Sequence, residues 1–196
     1  MIRIAERGIR SFIAIQLPRE LRSVLHELAL PLQGLSLNVK WVPESNYHLT
    51  LKFLGDIAPG DIRSLDAQLQ ALADRECFIL SLGGWGMFPN SKRPSVLWVG
   101  LGGELEALRQ VWRDLDDCLS ASYPRDRQWH PHITLGRFRS PDRVDSLNAR
   151  LQQTPSFDHI GSFTASGLSL MESRLNPVGP SYNPQSFHEF KAKVNK

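Results

Sequence analysis

Two four-residue segments of this chain share one pattern, in which histidine is followed by an aliphatic residue, threonine and leucine. They are His48–Leu51 and His132–Leu135, and a glycine follows each of them, Gly55 and Gly136. Side chains alternate between the two faces of a strand, so each histidine shares a face with its threonine while the aliphatic residues face the core. The repeat therefore predicts two equivalent, half-buried strands and suggests an internal duplication.

Hydrophobic periodicity around these segments predicts an α+β protein in which helices cover mostly antiparallel sheets. Strands alternate with amphipathic helices, and a loop is expected at Gly83, Gly84 and Gly86. The predicted helices are 19–30, 61–73, 104–120 and 144–152. The predicted strands are 11–17, 39–42, 47–54, 78–82, 96–101, 132–138, 167–171 and 185–190. In strand 47–54, simple alternation places Leu49, Leu51 and Phe53 on the core face and His48, Thr50 and Lys52 on the other.

Composition places the chain among ordinary globular proteins, with 41% hydrophobic and 22% charged residues. Residues 1–196 are expected to form one domain. The net charge of +3 suits an anionic substrate but does not require one. Two cysteines without a CxxC pair, and no apolar run of membrane-spanning length, predict a soluble cytoplasmic protein.

The paired motif suits phosphate chemistry. Histidine titrates near neutral pH, so one imidazole can take a proton from water while the other gives one to a leaving oxygen. Threonine hydroxyls can donate hydrogen bonds to non-bridging phosphate oxygens. A single copy of the motif would carry little weight, but two matched copies predict that His48 and His132 are catalytic and that Thr50 and Thr134 bind substrate.

The two motifs resemble the paired signature of the 2H phosphoesterase superfamily. The surrounding sequence is similar to its RNA 2′,3′-cyclic phosphodiesterase branch, also called the 2′-5′ RNA ligase family. The matching segments lie in the expected order over nearly the whole chain. They are 12–15, 41–42, 48–55, 88–89, 96–100, 131–137 and 172–173.

This resemblance implies two similar lobes, each with an antiparallel sheet flanked by helices, and an active-site cleft between them. The implied reaction is hydrolysis of an RNA 2′,3′-cyclic phosphate to a 2′-phosphate. In it, His48 would protonate the leaving 3′-oxygen and His132 would activate water. No metal or other cofactor is implied, and some members also catalyse reversible 2′-5′ joining of RNA.

Five further side chains are candidates for substrate contact. Arg137 suits a phosphate clamp, although strict alternation would turn it away from His132 unless Gly136 marks a bulge. Phe12 is expected to line the cleft, and a base could stack on Trp41 or Phe53, although a core position is the simpler interpretation of each aromatic residue. Lys52 would lie at the rim of the cleft.

Three other hypotheses remain open at this stage. The enzyme could act on a small cyclic nucleotide instead of an RNA end, because both substrates need the same His-Thr pairs. The chain could be a basic RNA-binding module without catalysis, in which case the histidines would be dispensable. The histidines could also be zinc ligands, although zinc requires three or four ligands and threonine is a poor one. A monomer is the default expectation.

Overall fold

A computed structural model describes residues 8–154, 159–177 and 179–193 of the 196-residue chain. Within these ranges the protein contains four α-helices and nine β-strands. The helices are α1 (Arg19–Gln33), α2 (Ile62–Leu72), α3 (Leu105–Leu119) and α4 (Val144–Gln152). The strands are β1 (Ile9–Gln16), β2 (Val39–Trp41), β3 (His48–Ile57), β4 (Phe78–Phe88), β5 (Val96–Gly103), β6 (His132–Phe138), β7 (Gly161–Ala165), β8 (Gly167–Asn176) and β9 (Gly179–Glu189).

The strands form one antiparallel sheet in the order β7-β4-β5-β6-β3-β1-β8-β9, with β2 paired to β6. Its halves, β9-β8-β1-β3 and β6-β5-β4-β7, join where Leu49 of β3 pairs with Ile133 of β6. The α+β class with antiparallel strands is confirmed. The two lobes differ from the expectation in one respect, because their strands are continuous across this seam and do not form two separate sheets.

The two halves repeat one strand and helix order. In the first half β1 leads through α1 and β2 to β3 and α2, and in the second β5 leads through α3 to β6 and α4. The strand pairs β1-β3 and β5-β6 also share a register. Thr50 of the first motif pairs with Ala14 of β1, and Thr134 of the second motif pairs with Trp98 of β5. The duplication suggested by the two motifs therefore extends to the whole strand-helix framework around them.

Each motif strand carries a bulge just after its threonine. Leu51 in β3 and Leu135 in β6 have no partner in the neighbouring strand, because the register shifts at those points. An extra residue reverses the alternation of the side chains that follow. The predicted faces of Lys52 and Phe53 were consequently wrong: Lys52 is 2% exposed, whereas Phe53 is 68% exposed.

The helices cover the sheet with apolar stripes. In α1 the buried positions are Leu21, Leu25, Ala29 and Leu32, which recur at helical spacing. This helix runs three residues beyond the predicted end at residue 30 and includes Pro31. Burial of Leu32 in the core favours the extra turn despite the proline.

Several strands are longer than local pattern predicted. The glycine-rich segment is not a loop, because β4 continues through it to Phe88, with a bulge near Gly84, whose φ is +68°. The late strands reach 167–176 and 179–189, and β7 was not predicted at all. Pro180 and Pro184 are tolerated in β9 because it is an edge strand, whose outer backbone groups need no partner in the sheet.

No helix in the described ranges is long and apolar enough to cross a membrane.

Candidate active site

The four motif side chains meet at the seam of the sheet. Antiparallel pairing of Leu49 with Ile133 places His48 opposite Thr134 and Thr50 opposite His132. Each histidine therefore lies beside the threonine of the other motif, on the face opposite the buried aliphatic residues. The sheet topology thus brings together two motifs that are 84 positions apart in the sequence (132 − 48).

Both imidazoles are held by a backbone carbonyl two residues earlier. Nδ1 of His48 lies 2.7 Å from the carbonyl oxygen of Asn46, and Nδ1 of His132 lies 2.7 Å from that of His130. A carbonyl only accepts, so each Nδ1 carries a proton and donates it. In the neutral rings Nε2 is then the unprotonated nitrogen, and on His48 it accepts a hydrogen bond from the Thr50 hydroxyl at 2.9 Å.

The environment favours the neutral form of both rings. The pKa of His48 is lowered from 6.5 to about 4, mainly by burial and also by the nearby His132 and Arg137, while the hydrogen bond to Asn46 opposes the shift. Burial also lowers the pKa of His132, again helped by the charge of Arg137. At neutral pH the site therefore holds two uncharged imidazoles, in each of which Nε2 can accept a proton.

A cavity of about 470 Å³ opens beside the motifs. His48, Thr50 and Thr134 line it together with Phe12 and Arg137. The bulge at residue 135 turns Arg137 to this side, as the sequence hypothesis required, although the extra residue is Leu135 and not Gly136. Phe12 is buried, and its ring packs against His48 with the ring centres 4.8 Å apart. The cavity thus collects all four residues that the sequence suggested for substrate binding.

Sequence inspection missed Tyr182 and Arg10, which also line this cavity. The Tyr182 ring meets His48 and Phe12 edge-on, with ring centres 5.1 Å and 5.0 Å apart. Arg10 and Arg137 both lie near enough for their charges to act on the phenol. Neither missed residue belongs to a motif, and Tyr182 reaches the site only because β8 and β9 extend the sheet beyond β1.

A second cavity, of about 290 Å³, lies on the other side of Thr50 and Phe53, which line both spaces. His132 faces this second cavity, whereas His48 lines the first. Phe88, Trp129 and His130 line it together with His132, and the Phe88 ring contacts the ring of His132. Trp41, one of the suggested base-stacking residues, lines neither cavity.

Metal ligands do not gather at the site. In the described ranges no group of three or more His, Cys, Asp or Glu residues is placed to hold a metal ion. His48 and His132 are instead bound to backbone carbonyls and flanked by threonine and aromatic side chains. The zinc hypothesis therefore lacks a ligand set in this part of the chain.

Comparison with known proteins decides the family. Residues 17–177 match the model of the 2′-5′ RNA ligase superfamily. The chain belongs to this superfamily. An RNA 2′,3′-cyclic phosphodiesterase of Methanothermobacter thermautotrophicus is 32% identical over 176 residues, which cover 89% of this chain and 95% of that one. Another of that name, from Aeropyrum pernix, is 31% identical over 79% of this chain and 86% of its own.

Solved structures show the same fold. TT0787 of Thermus thermophilus superposes with a TM-score of 0.77 at 25% identity, covering 95% of this chain and all of that one. E. coli LigT in complex with 3′-AMP has a TM-score of 0.75 at 23% identity, over 93% of this chain and 98% of LigT. The resemblance inferred from the motifs is therefore confirmed in both sequence and fold.

In this member of the 2′-5′ RNA ligase superfamily, Lys52 is not a free cation at the cleft rim. Its buried ammonium donates to Asp116 at 2.6 Å, to Asp126 at 3.1 Å and to the carbonyl of Pro124 at 2.8 Å. The network ties β3 to α3 and to the segment before β6. Trp129 of that segment adds a hydrogen bond from its indole to the carbonyl of Thr50 at 3.1 Å. Lys52 therefore holds the two motif strands in place.

Proposed function

We propose that this protein hydrolyses RNA 2′,3′-cyclic phosphate ends to 2′-phosphates by acid–base catalysis with His48 and His132. The carrying observation is the paired geometry of the motifs. Each imidazole is fixed through Nδ1 by a carbonyl and lies beside the threonine of the other strand. His48 and both threonines line the first cavity, and His132 lines the second, which shares Thr50 with the first. The relatives named RNA 2′,3′-cyclic phosphodiesterase support this assignment.

In the proposed reaction, Nε2 of His132 removes a proton from water while the water oxygen attacks phosphorus. The bond from phosphorus to the 3′-oxygen breaks, and Nε2 of His48 gives a proton to that oxygen. The products are a 2′-phosphate and a free 3′-hydroxyl. The orientation of His132 toward the second cavity supports its role as base, since an attacking group can approach from that side.

The acid must gain its proton when substrate binds. Burial favours the neutral form of His48, but an anionic phosphate beside it favours the charged ring. In a water-poor site this attraction is stronger than in bulk solvent. Substrate binding thus supplies the condition under which His48 becomes an acid while His132 remains a base.

Thr50, Thr134 and Arg137 are proposed to hold the phosphate. Their hydroxyls and guanidinium line the cavity beside the histidines and can donate to non-bridging oxygens as negative charge builds up. Phe12 is proposed to support the ring of His48 and to bound the nucleotide space. Because these groups supply the charge stabilisation, the proposal requires no metal ion and no other cofactor.

Reversible 2′-5′ joining of RNA is proposed as a second use of the same chemistry. In that reaction a 5′-hydroxyl takes the place of water, so the two histidines need no new role. Membership of the 2′-5′ RNA ligase superfamily supports this extension.

The first experiment incubates purified protein in excess EDTA with a short RNA ending in a 2′,3′-cyclic phosphate, followed by analysis of the product end. We expect wild type and His159→Ala, an exposed histidine outside both cavities, to form the 2′-phosphate. His48→Ala and His132→Ala should be slower by at least about 10²-fold. A 3′-phosphate product, or activity that survives both substitutions, would refute the mechanism.

The same assay separates the alternatives. A cyclic mononucleotide run in parallel tests the small-nucleotide alternative, since a space of about 470 Å³ accepts one nucleotide without demanding a longer chain. An RNA-binding module would bind the oligonucleotide without converting it, and its affinity would fall with salt.

We further propose a cytoplasmic monomer. Its two free cysteines suit a reducing compartment. Light scattering after gel filtration would contradict the monomer if the mass were twice 22.2 kDa.

A further inference from the structure

We propose that the second cavity is a binding site for the nucleoside that carries the attacking 5′-hydroxyl when this enzyme joins RNA ends. This inference rests on the proposed function, because it uses the same two histidines. It adds a binding site for a second substrate, placed on the side of the phosphate where the attacking group enters.

The location of the cavity is the first argument. In-line displacement at phosphorus puts the attacking and leaving oxygens on opposite sides. His48, the proposed acid, lines the first cavity, and His132, the proposed base, faces the second. Thr50 and Phe53 line both spaces and mark the boundary between them. A group whose oxygen is activated by His132 would therefore have the rest of its structure in the second cavity.

The lining of the cavity is the second argument. Water needs no aromatic walls, yet three aromatic rings surround this entrance. The Phe88 ring meets the His132 ring edge-on, with ring centres 5.1 Å apart. It lies tilted against the His130 ring, with ring centres 5.9 Å apart. Trp129 stacks on Trp112 at 5.4 Å with ring planes 7° apart, which fixes its orientation. Such walls stack nucleobases without sequence preference, and about 290 Å³ suits one nucleoside.

Polar groups at the edge suit a sugar or base. Gln128 and Asp126 line the cavity beside the rings, and both are exposed residues. One carboxylate oxygen of Asp126 is held by Lys52, which fixes the segment carrying Gln128, Trp129 and His130. Lys52, which also forms the buried ion pair with Asp116, thus anchors the segment that lines this cavity.

The two histidines are sufficient for the joining reaction. His132 takes the proton of the 5′-hydroxyl, and the 5′-oxygen forms a bond to phosphorus. The bond from phosphorus to the 3′-oxygen breaks, and His48 protonates the 3′-oxygen. The product carries a 2′-5′ phosphodiester and a free 3′-hydroxyl. No oxidant, nucleotide cofactor or other co-reactant is consumed, and the reverse reaction cleaves a 2′-5′ linkage to a cyclic phosphate and a 5′-hydroxyl.

The test measures the ratio of joined RNA to 2′-phosphate when an RNA with a cyclic phosphate end is incubated with excess 5′-hydroxyl RNA. His130→Ala removes one wall but keeps the carbonyl that holds His132, and Gln128→Trp fills the space. Both should lower the ratio at least about tenfold relative to wild type. Gln152→Trp, an exposed position on α4 outside both cavities, is the matched control and should keep it.

The ratio is internal to each sample, so partial misfolding of a variant does not change it. An unchanged ratio in both cavity variants would overturn the inference. Equal loss of both products would also overturn it, because that result would place the nucleoside of the cyclic phosphate substrate in the second cavity. Wild type that hydrolyses the cyclic phosphate but neither joins RNA nor cleaves a 2′-5′ dinucleotide would overturn it while leaving the proposed hydrolysis standing. Absence of hydrolysis by wild type would remove the proposed function and this inference together.

Discussion

Phe53 and Arg137 occupy equivalent positions in the two halves of the sheet. Phe53 pairs with Phe12 of β1, Arg137 pairs with Val96 of β5, and each follows a bulge two residues earlier in its strand. The bulges turn both side chains into the first cavity. The duplicated framework therefore presents an aromatic ring from one half and a cation from the other, which suits a substrate with a base on one side and a phosphate on the other.

Substitutions of Arg137 should distinguish the effect of its charge from the effect of its guanidinium geometry. Arg137→Ala is expected to lower kcat/KM for the cyclic phosphate by about 10²-fold, because a donor aimed at the phosphate is lost. It should also raise the pKa of both histidines, since the Arg137 charge lowers them. Arg137→Lys keeps the positive charge but loses the two parallel N–H donors of the guanidinium, so its pH profile should stay near that of wild type. Identical profiles for wild type and Arg137→Ala would contradict this arrangement.

The pH dependence of kcat/KM should be bell-shaped with its maximum below pH 6.5. That quantity reports on the free enzyme, in which one imidazole must be charged and the other neutral. Both pKa values are lowered, that of His48 to about 4. Initial rates at low substrate between pH 4 and 9 would check this. A maximum above pH 7.5 would show that another group acts as the acid.

Measured without substrate, the protein should lose stability as the pH falls from 6.5 to about 4. The unfolded chain binds a proton at His48 near pH 6.5, whereas the folded chain resists it until about pH 4. Protonation therefore favours unfolding in that window, by up to about 3 kcal/mol. Urea unfolding at several pH values would measure the loss. His48→Gln should flatten the dependence, and His159→Gln should not.

Thr50→Val and Thr134→Val should each reduce kcat by roughly 10- to 100-fold with little effect on folding. Valine keeps the shape of threonine but cannot donate to the phosphate. Single-turnover rates of the two variants would be compared with Thr164→Val, an exposed threonine on β7. Wild-type rates in both motif variants would exclude the hydroxyls from phosphate binding.

Lys52→Met should destabilise the fold by about 3–5 kcal/mol, because the buried Asp116 carboxylate loses its closest cation and keeps only the Asp126 N–H at 3.1 Å and the exposed Arg125 at 3.8 Å. Burial alone would raise the pKa of Asp116, but the hydrogen bond from Lys52 lowers it instead. Adding Asp116→Leu should recover part of the loss, since no unpaired carboxylate then remains. Lys92→Met, at an exposed site, is the control. A loss equal to that control would mean that the ion pair contributes nothing.

The sequence alone identified the residues that we propose carry the chemistry. The pattern of His48 and Thr50, repeated at His132 and Thr134, identified the motif strands and their polar faces, because alternation in a strand is a local property. The family, the α+β class and most helices also followed from local pattern, since apolar spacing depends on neighbouring residues only.

Tertiary structure decided what local alternation could not. Pairing of Leu49 with Ile133 joins the two lobes into one sheet and sets each histidine beside the other motif's threonine. Bulges move Phe53 into the cavity and Lys52 into a buried ion pair, although strict alternation assigned them to the opposite faces. These outcomes depend on register between strands that are distant in sequence. Register is fixed by packing across the whole sheet, so no local pattern contains it.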